Sequence, residues 1–534
     1  MIRYKFVMGK YRDKALVFQH FSNVGIGWII MAVFLVTGFT NALAQQSDSY
    51  ENFGAHFGEK LQLPSYIIPN GPYQPNWNSL DKHDESPKWF RDAKFGIYFH
   101  WGVYSVPAFD SEWYPRNMYN KKGKVYKHHV ATYGSPLKFG YPDFVPMFKA
   151  EHFDADAWAK LFKQAGARFA GPVAEHHDGF SMWDSDWTPW NAMDKGPHQD
   201  IVGELEKAIR KQGMRFITTF HHSKNNLWKK DGKWTGHYTF VNEYFPSLLK
   251  DPERAIMYGD MPRKTFLQMW RGKLEEVVNK YHPDIMWFDY RLGFIPDSVK
   301  TKYLAYYFNK ADQWGKDVVV TSKHKQFPDA VGVEDFEKGR TNKLTKNAWL
   351  TDDTISKGSW CYTQDLEIKS TTEVLHTLID IVSKNGQLLL NISPKADGTI
   401  PENQKDVLRG MGNWLDQNGE AIYGTRPWKI FGEGPTRLKK GGAFVKSIQY
   451  NAKDIRFTTK GDTLYAIDLA WPGQEMVIHS LAASRGLESR GVGKVTYLAT
   501  GKKLNSHMES DGLHIEMPEK QDEKFAYAVR IEFR

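Results

Sequence analysis

Along residues 88–417, short runs of consecutive apolar residues alternate with longer segments whose apolar positions recur every three or four residues. The short runs read as strands buried on both faces, the longer segments as amphipathic helices. Residues 94–100 form a first strand that stops at His100. Asp154 then caps a helix carrying Ala157, Trp158, Leu161, Phe162 and Ala165 on one face, and Gly166 ends it. Residues 168–174 make a second strand. Residues 200–213 make a helix with Ile201, Leu205, Ala208 and Ile209 on one side, and 215–220 make a third strand. After a long Trp-rich loop come a helix at about 265–280 and a fourth strand that runs out at Asp289. A helix at 298–314, a fifth strand at 317–324, an acidic strand end at 331–337, a helix at 371–384, a strand at 387–392 and a helix at 402–417 complete the series. Strand, helix, strand in this order predicts a parallel sheet. Polar residues end strand after strand, and no GxGxxG follows the first, so a closed (β/α)8-like TIM barrel is favoured over an open sheet.

From about residue 441 the pattern becomes short alternating runs between turns, at 454–459, 463–468, 492–498, 513–517 and 526–533. That predicts a C-terminal antiparallel β-sandwich, read as a structural domain packed on the barrel, with sugar binding as the alternative. At the other end, a basic region precedes a mostly apolar run at 26–39 and then Ala42-Leu-Ala44. This reads as a signal peptide with a small-residue cleavage site. The apolar run is short for a membrane span, and an uncleaved anchor is the alternative. The resulting plan is a signal peptide at 1–44, an N-terminal arm at 45–79 rich in Pro, Asn and Gly, a barrel catalytic domain at 80–430 and the sandwich at 431–534. Export to the periplasm, the cell surface or the medium is expected, with no membrane attachment of the mature form.

Composition narrows the chemistry. At 534 residues and 41% hydrophobic, the chain can bury a large core. The single cysteine, Cys361, excludes an internal disulfide and a Cys-based zinc site. Nineteen Trp and 26 Tyr exceed what a core requires and lean towards stacking on flat sugar faces. The net charge of +9 comes without a Lys/Arg stripe or a nucleic-acid motif, which argues against nucleic acid and leaves an anionic, for example sulfated, glycan open.

The ends of barrel strands face the active site. His100, His176, His177 and His222, with Glu112 and Asp289, would therefore share one pocket. Taken alone, Asp289 reads more readily as a turn cap. A metal site is a rival, since His and carboxylate are zinc ligands. There is no HExxH, however, and adjacent histidines on one strand point to opposite faces unless the strand has already turned. A metal is therefore disfavoured. Neutral His, Glu and indole N–H groups suit a sugar with adjacent hydroxyls, because each donates or accepts at a defined angle. Glycoside hydrolysis needs two carboxylates. Asp289 is the candidate nucleophile, and the second is sought among Glu334, Asp335 and Glu337, whose clustering raises pKa values.

Phe95-Gly-Ile-Tyr-Phe-His-Trp-Gly102, Ser111-Glu-Trp-Tyr114, His176-His-Asp-Gly-Phe180, Trp287-Phe-Asp289 and the run from Ile381-Val-Ser-Lys-Asn-Gly to Ala-Asp-Gly-Thr-Ile400 resemble glycoside hydrolase family 29, the α-L-fucosidases, as found in bacterial exported enzymes. The likeness runs from about Asp81 through the barrel and, more loosely, through the sandwich. It implies a retaining exo-acting enzyme that forms a covalent fucosyl-enzyme and needs no metal or organic cofactor. Asp289 falls on the nucleophile position. His100, Glu112, Trp113, His176 and His177 fall on hydroxyl-binding positions. Trp287 and Trp360 resemble the aromatic pair that packs the C6 methyl. Burying the extra hydroxyl of galactose there would cost about 1–3 kcal/mol. Counting back from Trp349 puts the acid/base at Glu337, with Asp335 and Glu334 as alternates. Two positions depart from the family: His222 stands where Tyr often precedes Ser, and Lys323 where Arg often ends the fifth strand. The implied partner is a fucosylated glycan. A homo-oligomer is left open. The rival functions are a fucose-binding lectin without turnover and a barrel hydrolase for another sugar such as an α-galactoside.

Overall fold

The computed structural model describes residues 66–519 and 525–534. The expected signal peptide at 1–44 and most of the arm expected at 45–79 lie outside the described residues. The described end of the arm is pinned to the barrel wall, where Asn309 Nδ2 donates to the carbonyls of Pro69 and Tyr73 at 3.0 and 2.9 Å.

Eight parallel strands close into a barrel, in chain order Phe95–Phe99, Phe169–Glu175, Arg215–Phe220, Ile285–Phe288, Val319–Lys323, Val333–Asp335, Trp349–Thr354 and Gly386–Ile392. The first pairs with both the second and the eighth, so no edge is left open. Each strand sends at least one side chain to a common interior: Tyr98, Val173, Ile217, Trp287, Val319, Val333, Leu350 and Leu389. Burial of side chains of this size contributes roughly 1.5–3 kcal/mol each. A Cβ at Gly171 would overlap the Ile217 carbonyl oxygen, so a glycine lets the second strand close on the third.

The helices begin where their caps place them. Asp154 accepts from the Ala157 N–H at 2.9 Å to open Ala155–Gln164, and Asp200 accepts from Gly203 at 3.0 Å to open Ile201–Lys211. Arg263–Tyr281, Asp297–Gln313 and Thr371–Ser383 follow the third, fourth and seventh strands, and Glu402–Asn418 follows the eighth. Among the described residues no helix separates the fifth, sixth and seventh strands. The seventh strand is one the sequence pattern does not show. Its residues, Trp-Leu-Thr-Asp-Asp-Thr, are mostly polar, and its interior positions carry Asp352, bonded to Tyr98 Oη at 3.1 Å, as well as Leu350.

The C-terminal region is the expected pair of antiparallel sheets. Six strands run in the order Arg426–Glu433, Ile455–Lys460, Thr463–Asp468, Tyr527–Phe533, Val492–Tyr497 and Lys503–Leu504. They share a core with Glu475–Ile478, Gly512–Glu516 and Ser506–Glu509 through Phe457, Leu464, Val529, Met476, Leu513 and Ile515. The loop between the region's first two strands reaches the helix-free stretch of the barrel. Phe444 and Val445 donate their N–H groups to the Glu337 and Lys338 carbonyls at 2.7 and 2.8 Å. Arg340 and Gly442 exchange two further backbone bonds. Deeper in, Asp380 of the helix Thr371–Ser383 is ringed by Arg456 of the sandwich (2.8 Å), Lys384 (2.7 Å) and Arg340 (3.7 Å), all four side chains buried.

Candidate active site

The site lies where the strands end. The first strand is apolar through Phe99, and its backbone then delivers His100, whose N–H and Nδ1 both lie 2.8 Å from Asn391 Oδ1 at the end of the eighth strand. An amide oxygen can only accept, so Nδ1 carries the proton and Nε2 keeps its lone pair. Burial, followed by the field of His221, pushes the His100 pKa well below the ordinary histidine value. The second strand ends at Glu175, and the chain has turned by the time it reaches His176 and His177. Both rings therefore sit on the same side, 4.7 Å apart between centroids. Burial holds His176 well below its usual value, and holds His177 at about 4 against the pull of Asp289. These imidazoles are neutral near pH 7, and each can donate at one nitrogen and accept at the other.

Asp289 follows the fourth strand and is 6% exposed. Its Oδ1 lies 2.9 Å from Lys323 Nζ. Its Oδ2 lies 3.3 Å from His177 Nε2 and 3.5 Å from His221 Nδ1. Burial would raise the pKa of this carboxyl, but Lys323 and the two histidines outweigh it and hold it well below the carboxylate range. The second carboxylate is Glu337. Its Oε2 lies 2.9 Å from the same Lys323 Nζ, and its side chain is 19% exposed. An oxygen of each acid is 2.9 Å from one nitrogen, so the two oxygens are at most about 5.8 Å apart. That upper bound leaves room for the roughly 5–5.5 Å carboxyl spacing of retaining glycosidases. Burial raises Glu337, Lys323 opposes, and Asp352 and Asp289 add to the rise, leaving its pKa at about 7. One site thus holds an ionised acid beside one poised to be protonated.

The alternates are placed differently. Asp335 is fully enclosed, accepting from Trp287 Nε1 at 3.2 Å and from the Asp352 N–H at 2.8 Å, so it braces the indole from below. Glu334 points out of the barrel, 3.9 Å from Lys325. Strand alternation decides this, since Val333 and Asp335 face inward and Glu334 does not.

Glu112 Oε2 accepts from the Trp360 N–H at 3.1 Å and the Ser359 hydroxyl at 3.3 Å, and burial raises its pKa. Trp113 packs beside His177, with centroids 5.3 Å apart. Trp360 lies 5.3 Å from the His100 ring, and both Trp360 and Trp287 adjoin Tyr98, at 6.2 and 6.1 Å. The two indoles and Tyr98 make an apolar wall.

One expected residue is not in the pocket. His222 turns outward and stacks on Trp270, with its Nε2 3.4 Å from the Trp270 carbonyl oxygen. The pocket residue at this strand end is His221, which contacts Asp289 and adjoins His100, His176 and Trp287. The period of two already points there: Ile217 lies in the barrel interior, so 219 and 221 face inward and 222 does not. His237 was also missed. It is buried beside Trp113 and His177, and both its ring nitrogens lack a partner among the described residues. Nothing local marks it, because it comes from the long loop after the third strand.

Among the described residues, two donor sets of the pocket could hold a cation. Atoms of His100, His176 and His221, and of His177, His221 and Asp289, lie within 4.8 Å of one another. In the second set the carboxylate is already engaged by the Lys323 ammonium.

Comparison with known proteins bears on this arrangement. The family description "Alpha-L-fucosidase" matches residues 64–420, and "Alpha-L-fucosidase C-terminal domain" matches 449–532. The chain is similar to the tissue alpha-L-fucosidase of Rattus norvegicus, 33% identical over 426 residues covering 76% of this chain and 80% of that one. It is also similar to the plasma alpha-L-fucosidase of Homo sapiens, 33% identical over 466 residues, 84% and 89% of the two chains. Among solved structures it resembles the Thermotoga maritima alpha-fucosidase in complex with fucose, with a TM-score of 0.68 and 30% identity over 86% of this chain and 99% of that one.

Proposed function

The chain belongs to the α-L-fucosidase family of glycoside hydrolases, and from that premise we propose that it releases terminal α-L-fucose from fucosylated glycans with retention of anomeric configuration. In the first step Asp289 attacks the anomeric carbon while Glu337 gives its proton to the glycosidic oxygen and the C–O bond to the leaving group breaks. In the second, water attacks the fucosyl ester on Asp289. Its proton returns to Glu337, which frees fucose and restores both carboxyls. The supporting observation is the shared ammonium: Lys323 Nζ lies 2.9 Å from an oxygen of each acid, which helps keep Asp289 ionised beside Glu337.

The rest of the pocket fits that substrate. His100, His176, His177, His221, Glu112 and Trp113 supply donors and acceptors for ring hydroxyls, while Tyr98, Trp287 and Trp360 offer apolar surface to a methyl group. We further propose that the chain is exported, on the strength of the apolar run at 26–39 and Ala42-Leu-Ala44.

The test is the configuration of the first-formed product. Proton NMR during turnover of an aryl α-L-fucoside should show α-L-fucose before mutarotation, and Asp289→Gly should abolish turnover while the protein stays folded. First appearance of the β anomer, or a near-normal rate in Asp289→Gly, would overturn the reading.

A further inference from the structure

Several buried cations of this protein face carboxylates: Lys273 faces Glu175, Lys323 faces Asp289 and Glu337, and Arg456 faces Asp380. A different situation holds beside the pocket. Lys224 and Arg291, both partly buried, gather at Tyr290, and the partly buried Arg116, whose guanidinium lies 4.1 Å over the Phe240 ring, is close enough to repel Lys224. The Lys224 ammonium lies 4.0 Å from the Trp113 ring centroid and 3.4 Å from the Tyr290 hydroxyl. The Arg291 guanidinium lies 4.5 Å over the Tyr290 ring. Among the described residues none of the three makes an ion pair, and Nε of both arginines is buried without a hydrogen-bond partner. Arg291 is held at φ 82°, in the left-handed region that side chains other than glycine enter at a cost.

Three like charges drawn together without a counter-ion repel one another. Burial, then Arg116 and Arg291, push the Lys224 pKa down to about 7, and the carboxylate that opposes them is Asp289, itself already engaged by Lys323. An anion seated among the three would relieve the repulsion and complete their hydrogen bonds. The cluster adjoins the pocket through one indole, because Trp113 meets Lys224 and also packs beside His177 and His237. The hairpin Trp228–Lys230 and Lys233–Thr235 extends the positive surface outward with exposed Lys229, Lys230 and Lys233. Its Trp228 packs 5.9 Å from Phe294, three residues beyond Arg291.

We propose that Arg116, Lys224 and Arg291 form an anion-binding subsite for a sulfate ester or a carboxylate carried by the glycan next to the fucose pocket, so that acidic fucosylated glycans are the preferred substrates. The proposal rests on the fucosidase reading of the pocket. Its test is kcat/KM on matched substrates: a neutral fucosyl disaccharide, the same disaccharide sulfated on the fucose, the same sulfated on the neighbouring sugar, and a fucoside of a uronic acid, with a neutral aryl fucoside as control. At least one acidic member should exceed its neutral match by on the order of tenfold, and the advantage should shrink with added salt. Which member shows it identifies the anion and its position. In Lys224→Met and Arg291→Gln, each checked for folding by thermal melting, the acidic-to-neutral ratio should fall towards one. Equal kcat/KM across the set, or a ratio preserved in both variants, overturns the proposal while the fucosidase reading stands. Failure to release fucose from every substrate, the aryl control included, overturns the pocket reading and this proposal with it.

Discussion

The Lys323 ammonium lies 2.9 Å from Oδ1 of Asp289, with both side chains buried. Two more carboxylates reach the same nitrogen, Glu337 at 2.9 Å and Asp352 at 3.2 Å. One positive charge cannot neutralise them all. Asp289, whose Oδ2 also lies beside His177 and His221, is held ionised, whereas Glu337 is pushed up.

Lys323→Met should separate these effects. Without the ammonium, burial of Asp289 is opposed by the histidines alone, so its pKa rises. Asp289 must be ionised to attack. The acid limb of the pH–rate profile should therefore move to higher pH, and kcat/KM near neutrality should drop by about a hundredfold or more. An unshifted acid limb in a pH series on an aryl fucoside would count against this role.

Glu337 must be protonated in the first step, so activity on natural glycosides should be present below pH about 7 and decline as pH rises through that value. Glu337→Ala should remove this limb. It should slow glycosides with poor leaving groups by on the order of a hundredfold or more, and spare aryl fucosides whose leaving group needs little protonation. Added azide should restore part of the rate by forming fucosyl azide. If Asp335→Ala or Glu334→Ala shows this behaviour and Glu337→Ala does not, the acid/base has been assigned to the wrong residue.

His221 and His222 are neighbours in the chain with opposite surroundings. His221→Phe removes a group 3.5 Å from Asp289 and should lower kcat/KM about ten- to a hundredfold. His222→Phe keeps an aromatic ring against Trp270 and should leave kcat/KM close to that of the parent. Kinetics of the two variants side by side decide the point; a reversed order would mean that the third strand runs in another register.

Asp380 is the shared counter-ion of Lys384, Arg456 and Arg340. Burial would raise its pKa, and the three cations outweigh that and depress it. Its stabilising effect is therefore complete above the unfolded-state carboxyl pKa of about 3.9 and is lost as pH falls through the lower folded value. Asp380→Asn leaves buried cations underpaired and should cost about 3–5 kcal/mol at neutral pH, read as a lower denaturant midpoint. A loss under about 1 kcal/mol would show that the cluster does not hold the barrel and the sandwich together.

Much of this was legible in the chain because the relevant signals are local. A buried strand needs consecutive apolar residues, and an amphipathic helix needs its stripe and cap. So Phe95–Phe99, Ile285–Phe288 and Ile201–Lys211 stand out. Trp349–Thr354 does not, because its interior position holds Asp352 for the site and its apolar run is broken. The period of two along the third strand points to His221, whereas position at the strand end alone does not distinguish it from the adjacent His222.

The amino-acid pattern alone determined the alternation of strands and helices, the barrel with its trailing sandwich, and the set of polar residues at strand ends, because each depends on spacing within a few turns of chain. Tertiary structure decided which of those residues meet. Closing the barrel brings Asp289 and Glu337 onto the Lys323 ammonium, and turns Glu334 and His222 outward. Folding of the long loops sets Lys224 and Arg291 at Trp113 and Tyr290, with Arg116 close by over Phe240. Electrostatic interactions act over a few ångströms of space, and residues remote in the chain come that close only once the sheet has closed and the loops have packed over its end.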